Sequence, residues 1–180
     1  MEQSSGAVNQ QASQEELVRL ATLYDCEGSF CLSITDRPNR NNTKERVVVL
    51  DIGMTDEPTI QWVSDYLKLL GISHIHAQHP AQERRGAMFR VRVQTLRTLD
   101  KLLVLLEPHF RTKTDEAKIV HEYVRFALEH IRLHGHGSGK SEQLALERHE
   151  KFLSCRDRLR AVRLARLRDY TRYSFTQVKV

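Results

Sequence analysis

Two acidic residues stand where a predicted helix ends. Asp25 and Glu27 flank Cys26, and Gly28 follows directly. The helix dipole favours cations at a C-terminal end, so two carboxylates are electrostatically unusual there. A bound divalent cation would resolve this conflict, because carboxylate oxygens are suitable ligands for Mg²⁺. The spacing also fits an ordinary acidic pair that is solvated at a helix end.

Polar side chains on the predicted strands form a second candidate site. Strands are predicted at 29–36, 46–54, 72–79 and 87–94, where apolar and polar residues alternate. Serine, threonine, glutamine and arginine reach phosphates and base edges in DNA grooves. The candidate DNA-contacting residues are Ser33, Thr35, Arg37, His74, His76, Gln78, Arg90, Arg92 and Gln94, with Arg40, Lys44, Arg84 and Arg85. An ordinary antiparallel sheet with one solvated face is the competing interpretation.

Helices are predicted before, between and after these strand pairs. Ser13 and Glu16 form a capping box for a helix over 15–26, and Gly28 ends that helix. Asp56 begins a second helix, which Gly71 stops. Further helices are predicted at 96–106, 114–133 and 142–169. The order predicts an α+β fold with one repeat unit, because no second copy follows.

The positive charge of the chain is concentrated near its end. The net charge is +5, yet residues 151–180 carry nine Lys or Arg against two Asp or Glu. Seven arginines lie in 156–172, which indicates either a solvated helix face or contacts to a nucleic-acid backbone. This helix could also cover the core.

Composition divides the chain and excludes some classes of protein. We predict a disordered lead over 1–13, a main domain over 14–133, a glycine-rich flexible hinge over 134–141, and a basic C-terminal helix and tail over 142–180. No secretory signal and no apolar run long enough to cross a membrane is present. Three unpaired cysteines favour a reducing compartment. We therefore expect an intracellular protein, in a prokaryotic cytoplasm or an organelle.

Residues 20–28 (LATLYDCEG) resemble the LAGLIDADG motif of homing endonucleases. Residues 54–56, 69–72 and 107–113 also resemble segments of that family, so the likeness covers 14–130. It implies an αββαββα unit whose curved antiparallel sheet forms a saddle over DNA. Thr22 replaces the small glycine of the motif, and Thr55 stands where some members carry glutamine.

The resemblance also implies a catalytic site and a dimer. Glu27 would hold Mg²⁺ or Mn²⁺ with the carbonyl of Gly28, and Lys113 would stabilise charge on the phosphate. We also expect Asp25 to be one of the catalytic residues. The motif helices of two copies would pack together, through Leu20, Ala21, Leu23 and Tyr24.

The implied function is site-specific cleavage of double-stranded DNA by a homodimer with divalent metal ions. The alternative is an inactive LAGLIDADG protein that binds intron RNA as a maturase, or DNA as a regulator. The basic helix beyond residue 142 favours this alternative, because cleavage does not obviously need it.

Overall fold

The computed structural model describes residues 13–37, 43–81, 86–134 and 142–176. Within these ranges the elements are α1 (Gln14–Cys26), β1 (Gly28–Arg37), β2 (Thr43–Met54), α2 (Glu57–Leu69), β3 (Ile75–His79), β4 (Met88–Val93), α3 (Leu96–Leu106), a 3-10 turn (Glu107–His109), α4 (Thr114–His134) and α5 (Glu142–Thr176). The predicted α+β class and element order are confirmed. None of the described helices combines the length and the apolar character needed to cross a membrane.

The four strands form one antiparallel sheet in the order β1-β2-β4-β3. Register places apolar residues opposite one another, as in the pairs Phe30–Leu50 and Ile52–Val91. All four of these side chains are fully buried under the helices. The helices therefore cover one face of the sheet. We call the opposite side, which carries Ser33 of β1, the open face.

Capping residues set the ends of the first two helices as predicted. The Ser13 hydroxyl accepts a hydrogen bond from the Glu16 N–H at 3.2 Å, and the Asp56 carboxylate accepts one from the Thr59 N–H at 3.1 Å. Gly71 has a φ of 65°, a left-handed conformation that glycine adopts at little cost. It ends α2 in a Schellman turn, closed by a 2.8 Å bond from the Ile72 N–H to the Leu67 carbonyl.

The third strand begins later than the sequence predicted. Ile72 belongs to the turn after α2 and is buried, so β3 covers only Ile75–His79 rather than 72–79. Residues 72–74, which the apolar alternation had assigned to the strand, instead lie in or directly after the turn that ends α2.

The last helix completes the hydrophobic core. Phe152, Cys155 and Leu159 lie on one side of α5 and are buried. The Phe152 ring meets the ring of Tyr123 on α4 edge to face, with the centroids 5.1 Å apart. Covering the core is therefore one role of this basic helix. Of the predicted lead (1–13) and hinge (134–141), residues 1–12 and 135–141 lie outside the described residues, while Ser13 caps α1 and His134 ends α4.

Candidate active site and nucleic-acid interface

Helix α1 passes into strand β1 without a loop, and Gly28 makes this possible. A Cβ atom on Gly28 would lie 2.6 Å from Cδ1 and 2.7 Å from the carbonyl oxygen of Tyr24. Both distances are shorter than real Cβ contacts, and Tyr24 is fully buried and cannot withdraw. Glycine at this position therefore allows the end of α1 to sit directly against the sheet.

Asp25 ties the end of α1 to the segment before α4. Its carboxylate accepts backbone hydrogen bonds from Arg111 at 2.7 Å, Thr112 at 3.1 Å and Lys113 at 2.9 Å. Burial alone would raise the pKa of Asp25, but these donors outweigh burial and the pKa is lowered. The residue is only 8% exposed. We therefore correct its predicted catalytic role: Asp25 positions the segment that carries Lys113.

Lys113 reaches back across the same junction. Its ammonium group donates to the carbonyls of Tyr24 at 2.9 Å and Gly28 at 2.6 Å, with a longer contact of 3.5 Å to Cys26. Burial and the nearby Arg166 lower the pKa of Lys113. The family resemblance implied that the Gly28 carbonyl would bind a metal ion. In the structure this carbonyl accepts a hydrogen bond from Lys113.

Glu27 is the exposed acid of the pair. Its N–H caps α1 by donating to the Leu23 carbonyl at 2.8 Å, and its carboxylate accepts no hydrogen bond in the part of the chain that the structure describes. A free carboxylate suits Mg²⁺, which keeps several water ligands and takes one or two carboxylates. Among the described residues, no group of three or more His, Cys, Asp or Glu could hold a metal. Among the described residues at this junction, Glu27 therefore supplies the free carboxylate of the kind that a magnesium site needs.

Two arginines of α5 that were not singled out from the sequence lie beside these residues. Arg163 and Arg166 line a groove of about 510 Å³ with Cys26, Gly28 and Lys113. Both guanidinium groups pair with the carboxylate of Glu116, whose side chain is 3% exposed.

A periodic signal for these two arginines was present in the sequence. Arg163 and Arg166 follow the buried Leu159 at i+4 and i+7, so they share its helix face. Counting charge in the basic segment did not show which of its arginines face the site.

The open face of the sheet carries a second group of arginines. Ser33, Thr35, Arg90 and Arg92 lie on it, as predicted from alternation. The Asp51 carboxylate lies 3.4 Å from Nε of Arg90 and 3.7 Å from a terminal nitrogen of Arg92. Neither Nε atom has a hydrogen-bond partner in the described part of the chain. Both side chains are partly exposed, at 33% and 38%, so a bound anion could approach their guanidinium groups.

The histidines and Gln78 do not join this face. Residues paired directly across antiparallel strands point to the same side, and His76 pairs with Val91 while Gln78 pairs with Phe89. Both polar residues therefore lie on the helix side, although they are exposed.

His74 lies outside β3. Its ring contacts the Ser64 hydroxyl at 2.8 Å and the Ile72 carbonyl at 2.9 Å. The predicted positions of His74, His76 and Gln78 on the DNA-facing side are thus wrong. Pairing with β4 sets the register, and it places Ile75, Ala77 and His79 on the open face.

The remaining predicted contacts divide into two groups. Gln94 is exposed one residue after β4. The side chains of Arg37 and Lys44, and all of Arg40, Arg84 and Arg85, lie outside what the structure describes.

The surface of α1 differs from the predicted dimer face. Leu20, Ala21 and Tyr24 are 0% exposed because the chain buries them in its own core, so their assignment to a dimer interface is corrected. Leu23 is partly exposed. Another row of residues, spaced four apart along α1, faces outward: Val18, Thr22 and Cys26.

The outward row on α1 is small and weakly polar. We call Val18, Thr22 and Cys26 the α1 stripe. The Thr22 hydroxyl donates to the Val18 carbonyl at 2.8 Å, so the strongest polar group of the stripe is already satisfied within the helix. Small side chains allow two helices to approach closely.

Comparison with solved structures agrees with the resemblance seen in the motif. The homing endonuclease I-CvuI, solved with its DNA target in the presence of Ca, matches with a TM-score of 0.58 and 17% identity over 83% of this chain and 82% of that one. The archaeal intron-encoded homing endonuclease I-Vdi141I, complexed with DNA, matches with a TM-score of 0.53 and 16% identity, over 83% of this chain and 98% of that one. The LAGLIDADG homing endonuclease I-GzeII, in complex with its DNA target, matches with a TM-score of 0.57 and 10% identity, over 78% of this chain and 43% of that one.

These structures define the architecture of the chain. It adopts the LAGLIDADG homing endonuclease fold, as the resemblance of residues 20–28 implied. No protein-family profile and no curated protein matches the sequence.

Proposed function

We propose that this chain is a homodimeric, divalent-metal-dependent endonuclease that cuts double-stranded DNA at a specific site. The observation that carries the proposal is the position of Glu27. Its carboxylate is exposed at the end of α1, near the ammonium group of Lys113, and accepts no hydrogen bond from the residues that the structure describes. It stands in the acidic position of the LAGLIDADG-like motif, in a fold whose solved neighbours are complexed with DNA.

The residues at the end of α1 divide the work of such a site. A divalent cation, when bound, supplies activation of water and stabilisation of the leaving oxygen. Glu27 would hold that ion through its carboxylate oxygens. Lys113 places positive charge beside the phosphate being cut. Asp25 fixes the backbone of Lys113, and Gly28 keeps the helix end close to the sheet.

The extent of the structural matches supports a homodimer. This chain spans 98% of I-Vdi141I but only 43% of I-GzeII, so a single unit of the fold accounts for one chain and less than half of the other. Cutting two strands requires two sites, and each unit supplies one Glu27. A second copy related by two-fold symmetry would supply the other. The α1 stripe and Leu23 are the exposed residues that such a contact would bury.

The open face of the sheet would then receive the DNA. Arg90 and Arg92 would bind phosphates or guanine edges, and Ser33 and Thr35 would add hydrogen bonds beside them. Asp51 pairs with both arginines and so keeps their guanidinium groups side by side on the open face.

The test compares Glu27→Gln with wild type on DNA that carries the uninterrupted insertion site of the gene. We expect cleavage with Mg²⁺, none with EDTA, and none by the variant. Binding should stay within about twofold, because the Glu27 side chain has no hydrogen-bond partner among the described residues. Glu15→Gln is the matched control, since Glu15 is an exposed acid at the other end of α1. Loss of binding together with cutting would contradict the role assigned to Glu27.

A cleavage-inactive binder of intron RNA or DNA is the second candidate. The observation that favours it is the engagement of the Lys113 ammonium group by backbone carbonyls, which occupies donors that catalysis would use. Tight binding without cutting in Mg²⁺ or Mn²⁺ would select this candidate. Intron RNA would then be the next ligand to measure.

A further inference from the structure

The C-terminal helix brings charge to the candidate active site as well as covering the core. We propose that Arg166 of α5 binds a DNA phosphate beside the cleavage site, so that α5 forms one wall of the active site. This inference rests on the proposed function. Its geometric basis is the groove of about 510 Å³ that Arg166 shares with Lys113 and with Gly28, the residue next to Glu27.

The two arginines of the groove are not equivalent. Arg163 is occupied twice: its Nε donates to a Glu116 oxygen at 2.8 Å, and a terminal nitrogen donates to the Phe30 carbonyl. Arg166 pairs with the other oxygen of Glu116. A guanidinium group carries five N–H donors, so this pairing leaves several of them for another acceptor. The Arg166 side chain is 26% exposed and therefore has a path to solvent.

The charges that line the groove favour an anion. Three cationic side chains, Lys113, Arg163 and Arg166, face two carboxylates there, Asp25 and Glu116. The Asp25 carboxylate is saturated by backbone N–H groups. Arg166 and Lys113 repel each other, and this repulsion contributes to the lowered pKa of the lysine. A phosphodiester carries one negative charge, which would relieve the repulsion.

The phosphate recognised here is one in the DNA backbone. The groove opens where α1 ends and β1 begins, next to Glu27. At this point Ser29 of β1 lies on the open face. Ser29 also lines the groove, which makes the groove continuous with the proposed DNA surface. A DNA strand bound on the open face would pass this junction.

Arg166 has a competing role as a docking residue. Its pair with the buried Glu116 attaches α5 to α4, and such a pair alone would explain its position. The two roles differ in their effect on DNA binding. A docking residue changes stability, whereas a phosphate contact changes the dependence of DNA affinity on salt.

The experiment measures affinity for a mixed-sequence DNA duplex across a salt series. Arg166→Gln should reduce the slope of log K against log salt by about 0.9 per chain, because one phosphate contact is lost. Arg166→Lys should restore most of that slope, and it keeps the test open if the glutamine variant fails to fold. Glu116→Gln should weaken docking of α5 and leave the slope unchanged. Arg160→Gln is the matched control, since Arg160 is exposed on the same helix outside the groove.

Two results would overturn the inference. If wild type binds DNA and Arg166→Gln keeps the full slope, Arg166 is a docking residue and the proposed endonuclease function is unaffected. If wild type binds no duplex even at low salt, the inference and the proposed function both fail.

Discussion

Replacing Asp25 by asparagine should separate the roles of the two acids at the end of α1. Asp25 accepts three backbone hydrogen bonds, whereas Glu27 accepts none from the described residues. We therefore expect Asp25→Asn to lower the free energy of unfolding strongly, and Glu27→Gln to leave it nearly unchanged. The two substitutions remove the same charge two positions apart in the chain, so each controls for the other.

The size of the effect follows from the individual bonds. The asparagine oxygen can replace Oδ2 and still accept from Arg111 and Thr112, but without the negative charge. The amide NH₂ would replace Oδ1 and meet the Lys113 N–H, where two donors oppose each other. Hydrogen bonds to charged groups contribute about 1.5–3 kcal/mol each, so losing one and weakening two should cost about 3 kcal/mol. With an m value of about 2 kcal/mol/M, the urea midpoint should fall by about 1.5 M.

The dependence on pH provides an independent check. The pKa of Asp25 is lowered in the folded state, so its stabilisation is complete above the unfolded value of about 3.9 and is lost as the pH falls through the folded pKa. The stability difference between wild type and Asp25→Asn should therefore be constant near neutral pH and shrink in acid.

Urea unfolding followed by circular dichroism measures both effects. A midpoint within the error of wild type at neutral pH would refute the anchoring role of Asp25. So would a difference between the two proteins that persists unchanged in acid.

Two further predictions concern the α1 stripe and α5. Cys26 is an exposed free cysteine on the stripe, so mild oxidation should yield a disulfide-linked dimer that Cys26→Ser abolishes; a monomer with intact Cys26 would argue against α1 pairing. Phe152→Ala should lower the free energy of unfolding by about 3–5 kcal/mol, because its ring is fully buried against Tyr123. Leu164→Ala, at an exposed position of the same helix, should change it by less than about 0.5 kcal/mol in thermal or urea melts, and equal losses would show that α5 does not pack as described.

Local chemistry in the sequence was sufficient to predict most of the elements. Ser13 and Asp56 cap helices through bonds to residues three positions away, and Gly71 supplies a left-handed turn. Alternation in 29–36 and 87–94 predicted which side chains of β1 and β4 are buried. These features depend on neighbours within a few residues, so they can be predicted from the sequence alone. The LAGLIDADG-like motif added the expected unit, and the solved structures agree with it.

Other features depend on partners that are far apart in the chain. The face occupied by His76 and Gln78 depends on the pairing of β3 with β4 and on the turn that consumes Ile72. Leu20 and Tyr24 carry the spacing of a contact face, but the chain's own core buries them.

The two acids of the motif look equivalent in the sequence. Asp25 has a structural role because the backbone of residues 111–113 donates hydrogen bonds to its carboxylate. Arg166 lies at the site because it pairs with Glu116 of α4. Spacing along the chain determined which side chains could share a helix face or a strand face. Only tertiary packing decided which of them met a partner, because hydrogen bonds and burial act through space between segments that the sequence separates.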